Sequence, residues 1–156
     1  MKWSTIRLLL FVAFIVTARG TLAEQLPSDS DATILAALKA RGVRVAKNAV
    51  LDLTAHGRID YVEIAFEKKS WAAATELLAT LKPIQQNLAL SFTRVPLTDD
   101  DLSLLRGCEN VMFLTISDCD VTDGGLKSLA TLPRLRELSV SDKDLTAAAL
   151  DAFVDL

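Results

Sequence analysis

A chain that matches itself at one fixed offset over several lengths builds from copies of a single small unit, and from residue 88 onward this chain matches itself at 24 residues. Leu90, Leu114 and Leu138 align, as do Phe92, Ile116 and Val140, and then Leu97, Val121 and Leu145. Thr98, Thr122 and Thr146 follow, and after them Leu102, Leu126 and Leu150, then Leu105, Leu129 and Phe153. Each copy opens with apolar residues two apart, as in "FLTIS" and "ELSVS", the period of a strand with one buried face. A threonine then precedes two large apolar residues placed four and seven positions later, which is helical spacing. That threonine stands where an N-cap belongs, and in two copies the next residue is Asp99 or Asp123, where a helix dipole favours a carboxylate. A strand and a short helix in 24 residues cannot bury both apolar faces alone. Copies must stack, strand beside strand, around one continuous leucine core. The expectation is a short α/β solenoid with parallel strands and one helix per copy.

The segment "VMFLTISDCDV" places Val111, Leu114, Ile116, Cys119 and Val121 at the spacing L-x-x-L-x-L-x-x-N/C-x-L. It resembles the leucine-rich repeat family, and "CENVMFLTISDCDVTDGGL" is similar to its cysteine-containing subtype and to repeats of secreted bacterial proteins. Departures stand at the Asn/Cys position, which is Val95 in the first copy and Lys143 in the third, so a side-chain ladder cannot run through all three. The resemblance covers about residues 84–156. It implies protein or peptide binding on the concave strand face.

Upstream the register loosens. Leu78, Leu81 and Ile84 lie 24 residues before Leu102, Leu105 and Cys108, while "YVEIAF" supplies a strand only if two extra residues separate it from its helix. The repeats therefore span 62–156: an atypical first repeat 62–87, then 88–111, 112–135 and 136–156. Residues 24–61 form an N-terminal cap. In it "SDSDATILAALKARG" reads as a helix with Ile34, Leu35 and Leu38 on one face and Gly42 as its stop, and two alternating stretches around "TAHG" read as an antiparallel hairpin. A helix and hairpin can cover the open end of a stack.

Residues 1–23, "MKWSTIRLLLFVAFIVTARGTLA", place Lys2 and Arg7 ahead of a short apolar run and read as a signal peptide. Cleavage after Ala23 is the first choice and after Gly20 the second; the alternative is an uncleaved anchor. A cleaved chain is secreted, periplasmic or held at the cell surface. Losing three of 17 basic residues and none of 20 acidic ones leaves a net charge near −6, which repels nucleic acid and anionic lipid. The remaining residues suffice for one domain with a substantial core.

Chemistry has few footholds. The repeat sets Cys108 at a core position and Cys119 just past the strand, about 15 Å apart at ~3.3 Å per residue, so two buried thiols are expected rather than a disulfide. A catalytic thiol would need a base, and the one histidine is His56 in the hairpin turn. With no nucleophile elbow, phosphate loop or zinc spacing, no enzyme, cofactor or metal centre is expected. "TDDD" (Thr98 to Asp101) reads as helix capping. "DCDVTDGG" fails the EF-hand pattern, having Asp123 where Gly belongs and Leu129 where Glu belongs. Stacking would nevertheless set Asp118 beside Asp142 and Asp120 beside Asp144, which reads as a solvated acidic edge moderated by Lys143 and Arg94, with a low-affinity calcium site as the lesser alternative.

The strand face turned from the core carries Ser91, Thr93, Phe113, Thr115, Ser117, Glu137, Ser139 and Ser141: short polar side chains and one exposed aromatic. It is the expected partner-binding surface. The alternative is a structural subunit that self-associates through the open edge at Leu138 to Ser141, or a piece of a longer repeat protein.

Overall fold

The computed structural model describes residues 29–52, 57–141, 145, 146, 149 and 153. Helix α1 (Asp29–Ala40) stops where the sequence says it must. Gly42 adopts φ 78°, a left-handed conformation without penalty only for glycine. Its amide donates to the Lys39 carbonyl and that of Val43 to the Leu38 carbonyl, which satisfies the frayed end. Leu38 is fully buried, with Ile34 and Leu35 half-buried beside it. Sequence periodicity did not reveal Asp31, also fully buried: its carboxylate accepts from the Gln85 amide at 3.1 Å and from Gln86 Nε2 at 3.2 Å. That link ties α1 to the segment entering the third strand.

Strands β1 (Arg44–Asp52) and β2 (Gly57–Glu67) form the antiparallel hairpin, in register from Arg44↔Ala65 to Asp52↔Gly57. His56, in the turn between them, lies outside the described residues. β2 is also the first of four parallel strands, followed by β3 (Leu88–Thr93), β4 (Val111–Ser117) and β5 (Glu137–Ser141). The sheet order is β1-β2-β3-β4-β5, an open, mostly parallel α/β sheet. Cα partners run Leu90↔Leu114↔Leu138 and Phe92↔Ile116↔Val140, so residues aligned by the 24-residue offset are lateral neighbours. The offset slips once. Leu88 faces Val111 but Ala89 faces Phe113, and Met112, the extra residue, is buried at the bulge.

One connection departs from one helix per unit. After β2 the chain forms α2 (Lys68–Ala74) and then a 3-10 helix (Thr75–Leu81), whereas α3 (Asp99–Ser103) has five residues and α4 (Asp123–Leu129) seven. The longer first connection lets Trp71 reach the sheet. Its ring stands edge-on to Phe66 and Phe92 at 6.0 Å from each, while those two stack at 4.9 Å with planes 7° apart. Leu78, Leu81, Ile84, Leu102, Leu105, Leu126 and Leu129 close the same core, each at most 1% exposed. Leu145, Ala149 and Phe153 pack against its far end. Among the described residues no helix is long and apolar enough to cross a membrane.

Candidate functional site

The sheet has one face on the core and one toward solvent, and every strand-face residue expected to bind a partner lies on the second. Pairing sets them in rows: Glu63, Ala89, Phe113 and Glu137; then Ala65, Ser91, Thr115 and Ser139; then Glu67, Thr93, Ser117 and Ser141. Ser91, Thr93, Thr115 and Ser117 are half-buried, and Glu137, Ser139 and Ser141 are exposed. Phe113 corrects the expectation of a lone exposed aromatic. It is half-buried, its ring 5.1 Å from that of Tyr61. Tyr61 is on β2 and Phe113 on β4, so the rings meet across β3, where Ala89 is small enough to pass beneath them.

The opposite end of this face is basic. A half-open depression of about 480 Å³ lies where β2 and β3 end, with Ala65 in its wall and Arg44, Lys68, Lys69, Arg94, Ser91 and Thr93 around it. These residues come from three separate stretches. Arg44 is the Cα partner of Ala65, and Lys68 and Lys69 open α2. Arg94 follows β3 at φ 52°, and its amide donates to the Ser117 carbonyl. Asp118, 24 residues on, has the same φ and donates to the Ser141 carbonyl, so the left-handed residue is a property of the strand exit. Glu63 accepts from Arg44 at 3.1 Å and from Asn48 at 2.6 Å, and Glu67 pairs with Lys69 at 3.4 Å. Among the described residues Lys68 and Arg94 form no ion pair. The depression therefore holds more positive than negative charge on an acidic protein.

The helix starts show what sequence reasoning missed. Thr98 and Thr122 are the N-caps of α3 and α4, as expected. Asp99 and Asp123 sit in the first turn of their own helices, as expected, and also reach across to the threonine of the next segment. Asp99 accepts from the Thr122 amide at 2.9 Å and the Thr122 hydroxyl at 2.6 Å, and Asp123 accepts from the amide and hydroxyl of Thr146. The Thr98 amide and hydroxyl donate in the same way to Asp101 of their own helix. At the place of Asp101 the next segment has Gly125, where a side chain would collide with Asp99. The spacing of 23 between Asp99 and Thr122 was a visible signal, but only known stacking gives it meaning.

The Thr146 hydroxyl and amide together hold the Asp123 carboxyl below its ordinary value of 3.8, with Lys127 adding to the effect. A folded-state value below the unfolded one means this stabilisation is complete above about pH 4 and is lost as pH falls through the folded-state value. The Thr146 amide resonance should therefore titrate with a midpoint below 3.8, and Asp123→Asn should abolish that step. A midpoint at or above 3.8 would refute the bridge.

Both cysteines are buried free thiols. Burial pushes the Cys108 thiol up to about 11, which leaves it unreactive at neutral pH. Cys119 donates from Sγ to the Ser117 carbonyl at 3.3 Å and toward the Phe92 carbonyl of the neighbouring strand at 3.8 Å. Of the acidic edge, Asp118 and Asp120 are exposed, while Asp142 and Asp144 lie outside the described residues. Among the described residues no group of three or more metal-ligating side chains gathers. No protein-family model, curated protein or solved structure matches the chain.

Proposed function

We propose that this is a secreted binding module, built as a short leucine-rich-repeat solenoid, which holds a protein or peptide partner on the solvent face of its sheet. The lateral pairing of residues 24 apart supports the solenoid, and the N-terminal segment 1–23 supports secretion. The observation that carries the function is the face itself. Three parallel strands present Ser91, Thr93, Thr115, Ser117, Ser139 and Ser141 side by side, a surface of short hydroxyl side chains flanked by an aromatic pair and a basic depression. Such side chains lose little entropy when a partner covers them. Self-association through β5 is the weaker reading, because that strand is five residues long and carries exposed Glu137, features that discourage edge pairing.

Partner capture from the secreted fraction tests the reading. Ser117→Arg and Ser139→Arg put bulk in the middle and at the edge of the face without touching the core. Both variants should lose the partner held by the unsubstituted protein, whereas Arg106→Ser, an exposed change just beyond α3, should keep it. Retention by both face variants would remove the sheet face from consideration.

A further inference from the structure

The basic depression narrows the partner's chemistry. Resting on the face-binding reading above, we infer that the partner is an extended acidic peptide segment, with its carboxylates seated among Arg44, Lys68 and Arg94 and an apolar residue laid against the Tyr61–Phe113 pair.

Three observations converge on this. The first is charge placement: on a chain with a net charge of −3, four cations gather around one depression at the strand ends. Arg44 and Lys69 already have carboxylate neighbours, so Lys68 and Arg94 supply the surplus. The second is hydrogen-bonding capacity. Ser91 and Thr93 add hydroxyl donors in the same wall, suited to carboxylate oxygens the cations do not saturate. The third is polarity along the strands. The row holding Phe113 and the row holding Ser117 are four residues apart, about 13 Å at ~3.3 Å per residue, so an extended segment with an apolar residue three or four positions from its acidic ones reaches both ends. The small side chains between them, Ala65, Ser91 and Thr115, leave its backbone room.

A long polyanion fits less well. Asp118 and Asp120 are exposed just past β4, Glu137 is exposed on β5, and Glu63 and Glu67 flank the cations, so the favourable field covers only a few charges. A nucleic acid running past the depression would meet these carboxylates.

The test uses isotopically labelled protein purified after expression of the full 156-residue chain, titrated with the capped peptide Gly-Leu-Ser-Thr-Glu-Asp-Asp-Gly and followed by amide chemical shifts. The amides of Ser91, Thr93, Arg94 and Phe113 should shift together and saturably, and affinity should fall at least tenfold between low and physiological salt. Lys68→Glu with Arg94→Glu, both exposed positions, should abolish this binding and confer binding to the same peptide with three lysines in place of its acids. That exchange cannot come from a structural defect. Three results overturn the inference: inorganic phosphate giving the same shifts at equal concentration, which marks a simple anion site; a single-stranded oligonucleotide binding more tightly than the peptide; or an all-glutamine version binding as well. The last leaves face binding intact and removes only the acidic preference, whereas partner capture that ignores Ser117→Arg and Ser139→Arg removes the face itself.

Discussion

Phe92→Ala lowers the free energy of unfolding by about 3–5 kcal/mol, the range for emptying an aromatic site in a packed core. Phe92 is fully buried, stacked 4.9 Å from Phe66 and edge-on to Trp71, so its removal deletes one side of a three-ring cluster. The loss combines buried area, a residual cavity and aromatic geometry worth about 0.5–1.5 kcal/mol. Domains of this size are stable by about 5–15 kcal/mol, so the variant should unfold at far lower urea or not fold at all. Trp71 is the one tryptophan outside residues 1–23, and its emission reports on the ring cluster directly. Phe92→Leu, which retains most of the volume, should cost less than half as much. A cost below about 1 kcal/mol for the alanine variant would mean that the rings do not form the core.

Asp99→Ala should cost about 1–2 kcal/mol, because it removes two charge-assisted hydrogen bonds that join neighbouring helix starts in a half-exposed setting. Asp99→Asn keeps an oxygen to accept from the Thr122 amide, but its NH2, a donor only, cannot accept from the Thr122 hydroxyl, so it should lie between. The partner experiment is Gly125→Ala. A Cβ there would stand 2.1 Å from Asp99 Oδ1 and 3.2 Å from its Cα, so the carboxylate must leave Thr122 or the two helix starts must move apart. Buried Ala149 stands 24 residues on from Gly125, and Asp123 still holds Thr146 there, so a methyl group is compatible with the bridge after adjustment and the cost should stay near that of the bridge. The double variant should cost no more than Asp99→Ala alone, since the methyl then fills vacated space and alanine favours the helix. Additive costs in a urea double-mutant cycle would show that the two residues do not compete for one space.

These two predictions differ in how far they were legible in the sequence. Phe92 was marked as core by alternation within "LSFT" and by alignment with Ile116 and Val140, and the structure buries it with them. The strand register, the Thr98 and Thr122 caps and the Gly42 stop were legible for the same reason: each rests on a spacing or a residue type that acts within one turn or one strand. The site was legible in part. Ser91, Thr93, Thr115 and Ser117 were placed on the correct face by a period of two, but the exposed aromatic turned out to be half of a pair, because Tyr61 belongs to the less regular segment upstream.

Sequence alone determined which residues are neighbours across β3, β4 and β5 from Ala89 onward, because a 24-residue offset and a two-residue alternation leave one lateral register that buries the leucines. Only the tertiary structure decided what stands beside what between distant or irregular segments. The depression draws Arg44, Lys68 and Arg94 from an edge strand, a helix start and a strand exit, and Asp31 finds Gln85 across 54 residues. Asp99 reaches from its own helix to Thr122 because packing α3 beside α4 brings the next unpaired amides within bonding distance of its carboxylate. Periodicity records the apolar face that each unit must bury, whereas the polar contacts depend on the stagger with which those units come to rest.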